Sequence, residues 1–185
     1  STSGHASGET DTLVKDLQKL AILAVPFGIR VAYEALSWGR FVNEYPRSWE
    51  LVRAANRANL GVCLDSFHIL AGDSGLDALA DIDPRKVFLV QLSDFMWQEV
   101  RSRDERMDTA RHFRVFPGEG VHGEKLAEMV RRVDETGYRG DYSFEVFNDD
   151  YRTLPLPMVA ERARRSVKWL TDQVSRRSLP PRRPA

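Results

Sequence analysis

At 185 residues, 42% hydrophobic and 29% charged, the chain has enough apolar mass for one sizeable core, and its composition is not that of a collagen, a disordered tail or a disulfide scaffold. Lys+Arg and Asp+Glu balance at 27 each, so no overall basic field gathers nucleic acid, and the expected partner is a small molecule. No run approaches the roughly 18 apolar residues of a membrane span, no charged-then-apolar leader opens the chain, and the one cysteine, Cys63, has no partner within it, so a reducing cytoplasm without membrane attachment is expected.

Residues 1–10 are small and polar, after which Leu13, Leu17, Leu20 and Leu23 recur at helical spacing until Pro26 and Gly28 break the pattern. Residues 29–34 read as a short strand, and Pro46-Arg47-Ser48 opens a helix marked by Trp49, Leu51, Val52 and Ala55. Further strands are expected over residues 60–65 and 87–91, with a weakly helical stretch over 76–82 between them. A periodic helix through Leu126, Met129, Val130 and Val133 stops at Gly137; a fourth strand follows over 142–146, and the last helix over 158–174. Residues 1–175 are taken as one domain, and residues 176–185, with Pro180-Pro181-Arg182-Arg183-Pro184, as a Pro/Arg-rich linker or tail. Strand and helix alternate and the strands are apolar runs, the pattern of a parallel sheet covered by helices, so the class is α/β. Pattern alone leaves a doubly wound sheet and a closed barrel both open.

Each of the four strands ends near an oxygen ligand: Glu34, Asp65, Gln91 and Glu145. A carboxylate just inside an apolar strand is costly to bury unless it is paired or metal-bound, and the carboxyl ends of parallel strands are where α/β folds keep their sites. Taken singly, Glu34 or Asp65 reads more readily as a helix cap or an ion-pair partner than as a ligand, and Gln91 alone says almost nothing. Together they suggest one shared ion, and three carboxylates with an amide carbonyl form a hard shell suited to Mg2+, Mn2+ or Co2+ rather than zinc. His68, three residues after Asp65, leaves the strand on the same rim as a candidate acid/base; a satisfied structural histidine is the alternative. Residues 92–120 form a connection far longer than an ordinary βα loop. Near its end Arg114 offers a planar cation for a substrate carboxylate; a merely solvated arginine is the alternative, since Arg101, Arg103, Arg106 and Arg111 surround it. The four tryptophans, Trp38, Trp49, Trp97 and Trp169, are read as core or pocket wall.

The runs Tyr33-Glu34-Ala35-Leu36-Ser37-Trp38-Gly39-Arg40, Leu64-Asp65-Ser66-Phe67-His68, Gln91-Leu92-Ser93-Asp94, His112-Phe113-Arg114-Val115-Phe116-Pro117-Gly118-Glu119-Gly120 and Glu145-Val146-Phe147-Asn148-Asp149 resemble bacterial 3-dehydroshikimate dehydratases of the sugar phosphate isomerase/epimerase superfamily. The resemblance covers about residues 1–170. It implies a xylose isomerase-like (β/α)8 TIM barrel of which this chain holds only the last four β/α units, strands five to eight. It also implies metal ligands Glu34, Asp65, Gln91 and Glu145, His68 as catalytic acid/base, and Arg114 as a substrate contact. The implied activity is a hydro-lyase converting 3-dehydroshikimate to protocatechuate in quinate/shikimate catabolism, full only with the missing barrel half, and in some members a dioxygenase-like domain follows. Two other readings stay open: a sugar or inositol isomerase, epimerase or dehydratase on the same metal site, and an inactive half-barrel that acts only by association, including with a second copy.

Overall fold

A computed structural model describes residues 8–176. The tail expected over 176–185 lies outside the described residues apart from Arg176, as do residues 1–7 of the polar start. Helix α1 (Thr10–Ala24) is followed by a tight 3-10 turn at Val25–Phe27 that Gly28 closes at φ +63°, a conformation that costs glycine little. Strand β1 (Val31–Glu34), helix α2 (Tyr45–Ala55) and strand β2 (Leu60–Asp65) complete the first β/α/β unit. Helix α3 (Ser66–Gly72) starts directly from β2, and a 3-10 turn at Asp77–Asp81 occupies the weakly helical stretch before strand β3 (Val87–Leu92). Helices α4 (Arg103–His112) and α5 (Gly123–Glu135) lead to strand β4 (Tyr142–Phe144), and α6 (Asp149–Thr153) and α7 (Leu156–Arg176) close the order.

The four strands form one parallel sheet in the order β1-β2-β3-β4, with Glu34 beside Cys63, Asp65 beside Gln91, and Gln91 beside Ser143. Successive side chains of a strand point to opposite faces. In β2 this sends Leu60, Val62 and Leu64 into the main core with Leu13 and Leu17 of α1, Leu51 and Val52 of α2, and Leu126 and Met129 of α5. Gly61, Cys63 and Asp65 take the other face, and all six residues of the strand are buried. A smaller cluster of Trp38, Phe67, Phe95, Val100 and Ala110 packs at the carboxyl ends of the strands, directly under the site.

Three expectations change. The buried stripe of α1 is Leu13, Leu17, Ala21 and Ala24, whereas Leu20 and Leu23 are 51% and 69% exposed. At 3.6 residues per turn the stripe centres between Leu13 and Ala21, which turns Leu20 and Leu23 to its outer side. The long connection of residues 92–120 is not plain loop, because it carries α4, opened by a capping box in which Ser102 and Glu105 satisfy each other's backbone N–H. Strand β4 stops at Phe144, two residues short, because the chain beyond it pairs elsewhere: Arg114 N–H donates to Phe147 O and Phe113 bridges Asn148. Each strand end still delivers its residue to the same rim, Glu34 and Asp65 as last residues, Gln91 one before the end and Glu145 one beyond it.

Candidate metal centre and active site

Asp65 does two jobs at the head of α3. Its Oδ1 caps the helix by accepting the Phe67 N–H at 2.7 Å, while Oδ2 accepts from Arg114 Nη1 at 2.7 Å. The helix-cap and ion-pair readings of this residue are therefore both present, and they hold its second oxygen in the centre of the site. Arg114, 2% exposed, spreads over the cluster: Nη1 also reaches Glu145 Oε2 at 3.0 Å, Nε donates to Ala110 O, and Nη2 lies 3.4 Å from His68 Nε2. The guanidinium stacks over Phe67 at 4.7 Å. Gln91 Nε2 donates to Glu145 Oε1 at 3.0 Å, while its own Oε1 accepts from Cys63 Sγ. The amide therefore stands at the edge of the cluster with its nitrogen side toward Glu145.

Glu34, Asp65 and His68 present ligand atoms that all lie within 4.8 Å of one another. His68 Nε2 is 3.6 Å from Asp65 Oδ2 and 4.0 Å from Glu34 Oε1. Spacing alone sets His68 aside as an acid/base; the structure brings its Nε2 within 4.0 Å of both carboxylates, inside the same group of possible metal ligands. On the other edge of the ring, Ser37 N–H donates to Nδ1 at 3.2 Å, and the Trp38 indole meets the ring edge-on at 4.7 Å. Trp38 is thus pocket wall, Trp49 and Trp169 pack against the core, and Trp97 is half exposed. Arg103 and Arg106 reach inward from α4 to the carbonyls of Trp38 and Ser37, while the solvated alternative for Arg114 fails because that side chain is buried and paired.

The charges explain how the site titrates. Burial, then the charges of Asp65 and Glu145, push the Glu34 carboxyl up to about 7. Burial would raise Asp65 as well, but the Arg114 guanidinium and His68 overcome it and hold Asp65 below its ordinary value. Glu145 is raised by burial and by the Asp65 charge against the pull of Arg114. Burial lowers His68 to about 4, with Arg114 adding to the effect and Asp65 opposing it, so the ring is neutral at ordinary pH. Burial beside the same three carboxylates drives the Cys63 thiol far up, which leaves it a neutral donor to Gln91.

A divalent cation suits this arrangement. Three carboxylates face one guanidinium, an excess of two negative charges when all are ionised, and Glu34 Oε1 is buried without a hydrogen-bond partner. An orphaned buried carboxylate oxygen is costly, and a hard cation is the partner that oxygen ligands favour.

The family model for the xylose isomerase-like TIM barrel matches residues 3–173. The chain belongs to that family, and its four β/α units are half of the eight in a complete barrel. It is 42% identical, over 92% of its length, to a 3-dehydroshikimate dehydratase of Pseudomonas aeruginosa, and 32% identical over 87% to an inosose isomerase of Halalkalibacterium halodurans. It spans 26% of the first relative and 53% of the second. Among solved structures, a xylose isomerase-like TIM barrel/4-hydroxyphenylpyruvate dioxygenase fusion protein superposes at TM-score 0.86 with 39% identity, over 95% of this chain and 27% of that one. The IOLI protein with a bound zinc atom superposes at 0.77 with 26% identity, over 95% of this chain and 60% of that one. No helix among the described residues is long and apolar enough to cross a membrane.

Proposed function

We propose that this chain supplies the carboxy-terminal half, strands five to eight, of a metal-dependent 3-dehydroshikimate dehydratase, with Glu34, Asp65, Gln91 and Glu145 as metal ligands. The observation that carries the reading is the carboxylate excess around the unpartnered Glu34 Oε1, with a buried arginine in the same cluster. The 42% identity to a protein of that name supports the choice of substrate. Gln91 would serve through Oε1 after a turn of its amide, exchanging the Cys63 contact for the ion. The oxygen-rich ligand set favours Mg2+, Mn2+ or Co2+; the zinc in the IOLI protein, and His68 beside Glu34 and Asp65, are the grounds for testing zinc alongside them.

The reaction removes the proton alpha to the ketone and the hydroxyl group beta to it, so that one water leaves, and enolisation of the resulting dienone, which moves a ring CH2 proton to the ketone oxygen, makes the ring aromatic. A divalent ion in this site supplies a Lewis acid that polarises the ketone and steadies the developing negative charge. His68 is the acid/base of the site, held against the carboxylates by Asp65 and Trp38. Arg114 keeps Asp65 ionised and holds Asp65 and Glu145 turned inward, and its Nη2 is the atom left to meet a substrate carboxylate. Core packing of Phe67 and Phe95 beneath His68 closes the floor to water on that side.

A second reading, an inositol-type isomerase acting on a neutral polyol, draws on the inosose isomerase relatives and on Arg114 itself, whose Nη1 and Nε are already committed to protein groups. The test is incubation of the full-length protein with 3-dehydroshikimate or with inosose, each with Mg2+, Mn2+, Co2+ or Zn2+, after chelation. Protocatechuate absorbance that appears only with metal is the expected result. Turnover of inosose alone would replace the first reading with the second, and dehydration by metal-free protein would remove the metal from the mechanism.

A further inference from the structure

The connections after β3 and β4 meet as a short antiparallel ladder: Phe113 bridges Asn148, and one step along Arg114 N–H donates to Phe147 O at 3.0 Å. Residues opposite each other in an antiparallel pair project from the same face, so Arg114 and Phe147 share one face while Phe113 and Asn148 share the other. The Arg114 face is the one turned to the site, since its Nη1 binds Asp65 and Glu145. Phe147 therefore stands at the rim of the same site, with its ring centre 5.9 Å from the guanidinium carbon. Two phenylalanines neighbour that guanidinium, and they differ. Phe67, 4.7 Å away, is fully buried and belongs to the floor, whereas Phe147 is 46% exposed and offers open ring surface. Its backbone is fixed on the far side as well, because Asn148 Nδ2 donates to Arg114 O and Asn148 Oδ1 accepts the Tyr151 N–H as the cap of α6. The ring is a platform held beside the one cation of the cluster.

Flatness decides what such a platform recognises. A carboxylate on a doubly bonded ring carbon lies in the plane of that part of the ring, so a ligand held at Arg114 by this group presents a flat unsaturated face, and an aromatic ring packs well against a flat partner in offset or edge contact. A saturated ring is puckered and presents hydrogens or hydroxyls instead. We infer that Phe147 is a specificity-determining residue, forming with Arg114 a subsite for a six-membered ring whose carboxylate is conjugated to a ring double bond. This deepens the dehydratase reading and rests on it, because 3-dehydroshikimate and protocatechuate both carry that group. A neutral polyol has neither the charge for Arg114 nor the flat face for Phe147.

The test is calorimetric titration of the full-length protein, with Mg2+ present, using benzoate and cyclohexanecarboxylate, which share charge and ring size and differ in flatness. Benzoate is expected to bind about three- to tenfold more tightly. Phe147→Leu should bring the two affinities together by weakening benzoate, and Phe147→Tyr should restore the difference. On 3-dehydroshikimate, Phe147→Leu should raise KM by a similar factor with kcat little changed, as expected for a contact made equally in the ground and transition states. The melting temperature should change little, because the side chain is half exposed. Equal binding of the two acids by wild type, a preference that survives Phe147→Leu, or failure to bind either acid would overturn the inference. So would a Phe147→Leu protein that melts far lower, since the ring would then be packing against the rest of the barrel rather than against a ligand. If 3-dehydroshikimate is not dehydrated while the benzoate preference depends on Phe147, the dehydratase reading falls and the subsite for a flat carboxylate stands.

Discussion

Glu34 keeps its proton until about pH 7 in the metal-free protein, first because it is buried and then because Asp65 and Glu145 are charged beside it. In the unfolded chain the same carboxyl ionises near its ordinary 4.5. A raised folded value means that the Glu34 contribution to stability is fully present below about 4.5 and is lost as pH rises through about 7. A divalent ion needs the ionised form, so its binding must expel that proton. Titrating metal into metal-free protein should therefore release about one more proton near pH 6 than near pH 8, read by calorimetry in buffers of different ionisation enthalpy. Equal release at both pH values would show that Glu34 is not the group displaced. Arg114 gives the complementary prediction. It is the cation that compensates Asp65 and Glu145, so Arg114→Met leaves buried carboxylates unpaired and should cost about 3–5 kcal/mol in urea denaturation of metal-free protein. Bound metal should recover much of that loss; an equal loss with and without metal would mean that Arg114 stabilises by packing alone. The candidate ligands were readable in the sequence because each sits at a strand end, a position that period and burial reveal. The paired state of Arg114 was not, because its partners Asp65 and Glu145 are 49 and 31 residues away and no local pattern records that meeting.

At the scale of elements, the site depends on two loops fastened to each other. The connection after β3 and the one after β4 are joined by Arg114 N–H to Phe147 O, by Asn148 Nδ2 to Arg114 O, and by Tyr151 OH to Glu119, which also binds Arg162 of α7. The Pro117-Gly118 turn is the point where this assembly rests on α7. Gly118 has φ +86°, and a Cβ there would lie 2.5 Å from the Trp169 ring. Gly118→Ala therefore meets both backbone strain and the half-buried Trp169 indole, and it should destabilise by about 2 kcal/mol or more while weakening metal binding through Arg114 and Glu145. Wild-type stability and metal affinity in that variant would show that the turn does not position the site. The four strands and the helices α1, α2, α5 and α7 were legible from period alone. Helix α4 was missed although Ser102 and Glu105 spell its capping box, because its ten residues are mostly charged and bury only Thr109 and Ala110, so no apolar stripe marked them. The end of β4 was misplaced for a related reason: Val146 and Phe147 have strand-like side chains, but the backbone there pairs with the loop at Arg114.

At the scale of the whole molecule, four parallel strands lie side by side, and among the described residues β1 pairs only with β2 and β4 only with β3. A barrel closes because its first and last strands pair, and four strands at ordinary tilt do not bend far enough to meet. Both edges therefore present unpaired backbone groups, which invite pairing with another chain. Apolar side chains gather at the same places. Beside β1, Leu20, Leu23, Val25, Phe27 and Ile29 are exposed; beside β4, Tyr142 and Val167 are exposed at a cleft of about 380 Å³ that Leu92, Val130 and Leu170 also line. Contiguous apolar surface of this kind marks a face that is normally covered. The inner face of the sheet tells the same story, since half-buried Gln91 and Glu145 and exposed Ala32 and Ser143 have no opposing strands among the described residues. Expressed alone, this 185-residue chain is expected to associate, eluting in size-exclusion chromatography as a dimer or larger species or precipitating on concentration. Supplying the remaining strands of the barrel in the same polypeptide should convert it to a species of defined size with a cooperative melt, because the new strands would pair with both edges and cover the apolar rims at once. A well-folded monomer with a cooperative melt from the 185-residue chain alone would contradict the argument and would show that these edges are stable in water.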